Sequence, residues 1–147
     1  MSERREAGTP GRSIIVVAWL TLGLFAVTII PDAAGLHGLD GVASGVALAL
    51  FLGSLPIWFY AFGLAVLRSA RGDDVRLASL FFLVGSAPAD VRRNLLIVLA
   101  ASIVLAIATA YGNAFAVLEP MFPLALLPLW GARHGTFPAR PAAAVSR

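Results

Sequence analysis

The chain has 147 residues, of which 59% are hydrophobic and 13% are charged, and its formal net charge is +3. Soluble domains are roughly 45 to 50% apolar even with glycine counted, and this chain has 14 glycines in addition to its hydrophobic residues. Because the few charges lie between long uncharged runs, the composition excludes a water-soluble globular fold and predicts a single integral membrane domain.

The residue types that are missing exclude several kinds of chemistry. There is no cysteine, which excludes disulfides, thiolate catalysis and cysteine-based metal centres. All eleven basic residues are arginine, so a Walker-type phosphate loop is excluded because it needs a lysine. The arginines flank the apolar runs instead of following one surface, which argues against nucleic-acid binding. We expect no cofactor, no metal site and no enzymatic activity, because the sequence offers no set of acid, base and nucleophile.

The first half of the chain contains two apolar runs that predict transmembrane helices. A tail at 1–12 precedes the first run, at 13–31, which reaches the roughly 20 residues that a helix needs to cross a bilayer. The second run, at 42–67, is long enough to require tilt. Pro56 lies in its middle, where the missing backbone donor predicts a kink.

The second half predicts two more spans and one shorter apolar piece. That piece, at 77–87, would rise only about 16 Å as a helix, so we expect an interfacial or re-entrant segment that does not cross the bilayer. The third span is predicted at 91–111 and the fourth at 114–130. The fold class is therefore all-α, with four transmembrane helices and a short segment between the second and the third.

The fourth span and the tail that follows it differ from the rest in composition. Pro120, Pro123 and Pro128 fall within the fourth span and predict that it is the least regular of the helices. The tail at 131–147 is rich in glycine, proline and alanine, and we expect it to be disordered beyond about Pro138.

The arginines are distributed with a bias that predicts orientation. Three lie in the N-terminal tail, five between positions 68 and 94 and three in the C-terminal tail. The two loops on the opposite side hold none, and the first of them carries Asp32 and Asp40. Since loops rich in lysine and arginine stay in the cytoplasm, we expect both termini and the central loop to be cytoplasmic and the chain to reside in an inner (plasma) membrane.

Small residues recur at every fourth position on two of the predicted spans. They are Gly41, Gly45, Ala49 and Gly53 on the second span and Ser102, Ala106 and Ala110 on the third. Such spacing leaves a groove in which another helix backbone can approach closely. One interpretation is a homodimer interface. The other, which we favour, is that these two helices of one chain pack against each other.

Glu119 is the only carboxylate within an apolar span, which makes it the best single candidate for an intramembrane functional residue. A charge at that depth costs on the order of a few kcal/mol unless it is paired or hydrated. The residue would carry protons or bind a cation in the functional interpretation. In the alternative, it reaches interfacial water or is protonated in apolar surroundings.

Five arginines next to the spans are candidates for contact with anionic lipid headgroups. Each contributes about 1 kcal/mol when it lies near such a surface. The same residues would also serve as topology anchors, and the two roles are compatible. These arginines are Arg68, Arg71, Arg92, Arg93 and Arg133.

Two segments of the C-terminal half carry a resemblance to known proteins. The first reads FLVGSAP at 82–88 followed by VRR at 91–93, and the second reads LWGARHGTFP at 129–138. These segments resemble a family of small multi-span membrane proteins of actinobacteria that has no assigned activity. The resemblance covers 80–140, and the second segment is its most specific part. It implies residence in an actinobacterial inner membrane and no particular activity. Glu119 stands where the resemblance implies an apolar residue, which weakens a proton-carrying role for it.

The segment around the end of the fourth span also has an interpretation from its residues alone. Trp130 suits the interface, and Phe137 is able to fold back toward the membrane. Together with His134 these residues are a candidate docking surface for a partner. The alternative is a well-anchored helix terminus with no partner.

The sequence thus favours a non-enzymatic accessory or scaffold subunit of an inner-membrane assembly. Its expected partners are membrane lipids and other membrane-protein subunits, with a homo-oligomer as a further interpretation and no nucleic acid. The alternative function is a small oligomeric transporter or lipid-handling protein that uses Glu119.

Overall fold

The computed structural model describes residues 10–36 and 38–140, and their regular elements are helical apart from one isolated β-bridge. Helices are the expected result for these long apolar runs, because a helix satisfies its backbone polar groups within one segment. In chain order the elements are α1 (Arg12–Ala33), α2 (Asp40–Ala70), α3 (Leu77–Phe81), α4 (Ala89–Thr109), a 3-10 helix (Ala114–Leu118) and α5 (Met121–His134).

Four stretches of the described chain are long and apolar enough to cross a membrane, which confirms the predicted all-α class with four candidate spans. They are α1, α2, α4 and the stretch Ala114–His134. Large apolar side chains cover their outer faces, and Val27, Phe59 and Ile107 are each more than 70% exposed. A soluble monomer rarely exposes so much contiguous apolar surface.

The four stretches form a bundle in which α2 and α4 stand at opposite corners. α1 packs on both of these helices from one side, and the 3-10 helix and α5 pack on both from the other side. Our interpretation that α2 and α4 pack against each other is therefore wrong. Small residues mark surfaces that permit close approach, but they do not say which helix approaches.

The two small-residue faces have different surroundings. On α2, Gly41, Gly45 and Ala49 are exposed, and a Cβ atom built on either glycine would meet nothing within 4 Å. Only Gly53, further along α2, faces a neighbour, with its Cβ position 3.6 Å from the ring of Phe122. On α4 the face points inward: Ser102 and Ala106 are buried and Ala110 is partly buried.

The interior of the described chain contains two larger apolar clusters, one toward each end of the bundle, and Phe122 packs against both. A third, smaller cluster of Ala65, Leu80 and Ala132 lies where α3 packs on the bundle. The first cluster lies toward the end where α1 and α4 begin and comprises Ile14, Ala18, Leu83, Val91, Leu95, Val98, Leu126, Leu127 and Trp130. The second lies toward the opposite end and comprises Phe25, Ile29, Ala43, Ala47, Leu50 and Ala116.

The short apolar piece predicted at 77–87 forms α3 and a loop that packs on the bundle. With five residues, α3 rises only about 7.5 Å and cannot cross a bilayer. α3 packs on α5 where Gly131 leaves room, since a Cβ there would lie 3.1 Å from the carbonyl oxygen of Leu80. The loop then adopts a left-handed conformation at Leu83 (φ 53°), which places that side chain fully inside the first cluster.

The fourth stretch is irregular, as its prolines predict. It begins as the 3-10 helix, breaks at Glu119 and Pro120, and continues as α5, which contains Pro128. It is also the most enclosed of the four stretches. Irregular backbone is tolerated at membrane depth where protein surrounds it, so this burial and the break are compatible.

Candidate functional site

Eight arginines lie in the described residues, and all of them are at one end of the bundle, which we call the arginine end. This is the end where α1 and α4 begin and where α2 and α5 finish. These residues are Arg12, Arg68, Arg71, Arg76, Arg92, Arg93, Arg133 and Arg140.

Arg68, in the last turn of α2, ties three parts of the arginine end together. Its Nε atom donates to Asp73 at 2.8 Å. Its Nη1 atom donates to the carbonyl oxygens of Ala132 at 3.2 Å and of Gly135 at 2.8 Å, at the end of α5. The guanidinium also lies over the ring of Phe137, 4.7 Å from its centroid. A cation at a helix C-terminus complements the helix dipole, so Arg68 both caps α5 and anchors the chain that follows.

The chain after α5 pairs with the loop that follows α2. Asp74 donates its backbone N–H to the carbonyl of Pro138 at 2.8 Å, and Arg140 donates its own to Gly72 at 2.7 Å. The Arg140 side chain also donates to the hydroxyl of Ser69. The expectation of disorder beyond about Pro138 is therefore wrong for 139–140, because backbone hydrogen bonds hold these residues. The rest of that predicted tail, 141–147, lies outside the described residues.

A cleft of about 510 Å³ opens beside Arg68, between α2 and α5. We call it the arginine cleft: Tyr60, Leu64, Arg68, Arg71, Asp73 and Arg133 are among the residues that line it. Three arginines against one aspartate give the lining a net charge of about +2. Arg71 and Arg133 are exposed, and their side chains donate no hydrogen bond to another residue of the described chain.

The arginine cleft has two levels along α2. Tyr60 precedes Arg68 by eight residues, which is about 12 Å along a helix, and its side chain is half exposed. The cleft therefore offers an aromatic hydroxyl and an apolar wall at one level, and free guanidinium groups at the other. Guanidinium groups bind carboxylates and phosphates in bidentate geometry, so the arrangement is suited to an anionic group.

The structure corrects the predicted docking role of Trp130. Its side chain is only 1% exposed, belongs to the first apolar cluster and donates from Nε1 to the carbonyl of Pro10 at 3.1 Å. Gly11 makes this approach possible, since it has φ 69° and any side chain there would collide with Trp130. His134 and Phe137 are partly buried, one beside the Trp130 ring and the other under Arg68. These contacts favour an anchored helix terminus.

Arg92 and Arg93 lie apart from the arginine cleft, near the beginning of α4. Arg92 donates from Nε to the carbonyl of Phe82 at 3.0 Å, which holds the end of α3 against α4. The side chain of Arg93 donates to no residue of the described chain. An apolar groove of about 350 Å³ lies between α3, α4 and α5, with Phe82 and Leu96 among its lining residues.

Glu119 lies at the break in the fourth stretch and is fully buried. The hydroxyl of Ser102, on the inward face of α4, donates to its Oε1 atom at 3.3 Å. Its Oε2 atom has no partner in the described chain. Glu119 is thus enclosed by protein, and the interpretation that it reaches interfacial water is wrong. The buried hydroxyl of Ser102 and the buried carboxyl group of Glu119 thus form a polar contact between α4 and the fourth stretch.

Sequence reasoning missed a polar network at the end opposite the arginines. Asn113 is 6% exposed, donates from Nδ2 to Asp32 and to Ser44 at 3.0 Å each, and accepts from the backbone of Phe115 at 3.1 Å. The contacts join the ends of α1 and α2 to the turn before the 3-10 helix. One pattern in the sequence could have indicated this network. Asp32, Ser44 and Asn113 all lie at span ends that the predicted topology places on the same side of the membrane.

Comparison of the chain with protein-family models, with curated proteins and with solved structures found no match. The resemblance to actinobacterial membrane proteins therefore stays a prediction.

Proposed function

We propose that the protein spans an inner (plasma) membrane four times, with the arginine end in the cytoplasm. The four apolar stretches and their exposed apolar faces support the location. The segregation of the described arginines to one end supports the orientation, because arginine-rich ends stay cytoplasmic. In this arrangement α3 lies at the cytoplasmic interface, and the Asn113 network lies at the outer one.

Within that membrane, we propose that the protein is a non-enzymatic accessory or scaffold subunit. The observation that carries this proposal is the arginine cleft, in which Arg71 and Arg133 stay free while Arg68 fixes the surrounding backbone. The cleft's one aspartate is already bonded to Arg68. Such a set of side chains is suited to binding an anion, and it lacks a paired nucleophile and base.

The ligand that best fits this role is an acidic segment of another membrane-protein subunit. Carboxylates would pair with Arg71 and Arg133, and an apolar or aromatic side chain would meet Tyr60 and Leu64 at the deeper level. A fixed backbone is favourable for such a contact, because binding then costs side-chain freedom of the two arginines but little backbone entropy.

Crosslinking in intact cells tests this proposal. A photoreactive phenylalanine analogue at Tyr60 faces the cleft, whereas the same analogue at Phe59 is a matched control on the lipid-facing side, where the native ring is 79% exposed. We expect a discrete protein adduct from position 60 and none from position 59. Equal labelling from both positions, or lipid adducts alone, would refute the proposal.

Charge variants provide the second arm of that experiment. In the double variant Arg71→Gln/Arg133→Gln the adduct from position 60 should fall by about tenfold or more, because both free guanidinium groups are lost. The control Arg76→Gln/Arg93→Gln removes the same charge from the same end but outside the cleft, and should leave the adduct unchanged. If both doubles behave alike, the binding is not specific to the cleft.

A second candidate function, a small oligomeric transporter, is favoured by Glu119. Its Oε2 atom is buried without a partner in the described chain, which is the kind of group that carries protons or binds cations in membrane transporters. Glu119→Gln keeps the shape and removes the charge. A growth or transport defect in this variant, with the position-60 adduct unchanged, would support the transporter over the accessory subunit.

A further inference from the structure

The groove between α3, α4 and α5 is a half-enclosed apolar channel that opens at the arginine end. Its walls are built by Phe82 and the end of α3, by Leu96 and Leu99 on α4, and by leucines of α5, and almost all of its surface is apolar. Its volume of about 350 Å³ falls within the range of small-molecule sites.

The mouth of this groove carries positive charge. Arg92 precedes Leu96 by one helical turn, and its Nε atom is bonded to the carbonyl of Phe82, another residue of the groove. The Nη atoms of Arg92 donate to no residue of the described chain, and Arg93 beside it is also free. A second hollow on α4 adjoins the first at Leu96 and is lined by both arginines and no acidic residue. The positive end of the α4 dipole adds to the same field.

We propose that this channel is a binding site for one anionic phospholipid, with its phosphate on Arg92 and Arg93 and one acyl chain in the apolar groove. The shape and the charge both favour an amphiphile, since the apolar groove lies beside the Arg93 guanidinium and the unpartnered Nη atoms of Arg92. Basic pockets between helices on the cytoplasmic side are known to hold anionic headgroups. The inference rests on the proposed membrane location but is independent of the accessory role.

Native mass spectrometry of the detergent-purified full chain tests the site. The protein is titrated with phosphatidylglycerol and with phosphatidylcholine of identical acyl chains. We expect one molecule of phosphatidylglycerol to bind tightly and phosphatidylcholine to bind with clearly lower affinity. Arg93→Gln leaves the bond between Arg92 and Phe82 in place. It should weaken the binding of phosphatidylglycerol about 5-fold, because one arginine contributes about 1 kcal/mol, and should weaken phosphatidylcholine binding less, because the choline cation offsets the phosphate charge.

A substitution that fills the groove tests whether an acyl chain lies in it or whether only the headgroup of the lipid binds. Ala78 lines the groove and is exposed, so Ala78→Phe fills the slot without disturbing the core. Ala78→Phe should weaken the binding of both lipids. Ala108→Phe, on an exposed face of α4 away from the groove, should weaken the binding of neither.

Three outcomes would overturn the inference: equal affinity for the two lipids, an equal loss in the control Arg76→Gln, which lies outside both the groove and the arginine cleft, or an Ala78→Phe variant that binds like the native chain. A chain that stays soluble without detergent would instead overturn the membrane location itself. The two failures are therefore distinguishable.

Discussion

Removal of Arg68 should loosen the arginine end more than removal of any other arginine. Two charge-assisted hydrogen bonds to carbonyls contribute about 1.5 to 3 kcal/mol each, the partly exposed ion pair with Asp73 up to about 1 kcal/mol, and the Phe137 contact about 0.5 to 1 kcal/mol. One side chain makes all of these contacts, so they are not additive. We expect Arg68→Gln to lower the free energy of unfolding by about 3 kcal/mol.

Arg71→Gln is the matched control, because Arg71 lies three residues further on and its side chain has no hydrogen bond within the described chain. Its effect should stay within about 0.5 kcal/mol. Denaturant titration in detergent micelles measures both values, and hydrogen exchange of Asp74 and Arg140 reports the loop-to-tail bonds. Those two amides should lose protection in Arg68→Gln alone. Equal unfolding midpoints for the two variants, with unchanged exchange, would refute the role assigned to Arg68.

Four further substitutions have expected outcomes in the same unfolding assay. Gly131→Leu should lower the free energy of unfolding by about 1 to 3 kcal/mol, because the new side chain overpacks against Leu80. Gly45→Leu should be tolerated in the monomer, because a side chain there meets open space. Equal losses in the two variants would contradict the packing described. Asn113→Ala should cost about 2 kcal/mol, since it removes the donor to Asp32, and a neutral result would contradict the outer network. Glu119→Gln should be nearly neutral because it keeps the shape of the side chain and an acceptor for the Ser102 hydroxyl, and a large loss would mean that the carboxyl group has a partner in the membrane.

The sequence was sufficient to predict the fold class, because a bilayer permits few solutions for an apolar run of this length. Each run had to form a helix, and the prolines around Glu119 indicated where the fourth one breaks. That α3 does not cross followed from length alone, since 11 uncharged residues are too few to span. The grouping of arginines at one end was also predictable from the sequence, because it depends only on the order of the spans.

The neighbours of each helix could not be predicted, because side chains far apart in sequence decide them. Gly41 and Gly45 indicated close approach, yet no helix of the described chain lies there. Trp130 has the composition of an interfacial anchor, yet the left-handed Gly11 leaves room for it to be buried. The Arg68 contacts with Ala132 and Gly135 span more than 60 residues of sequence. No local pattern distinguishes Arg68 from the free Arg71.

The central claim is that four spans place both ends of the described chain in the cytoplasm, and cysteine labelling tests it most directly. The chain has no native cysteine, so each single replacement is the only thiol. Leu36→Cys and Tyr111→Cys probe the outer end, and Arg76→Cys and Thr136→Cys probe the arginine end; all four positions are exposed. A membrane-impermeant maleimide should label the first two in intact spheroplasts and the last two only after permeabilisation. Labelling of Arg76→Cys or Thr136→Cys in intact spheroplasts would contradict the account.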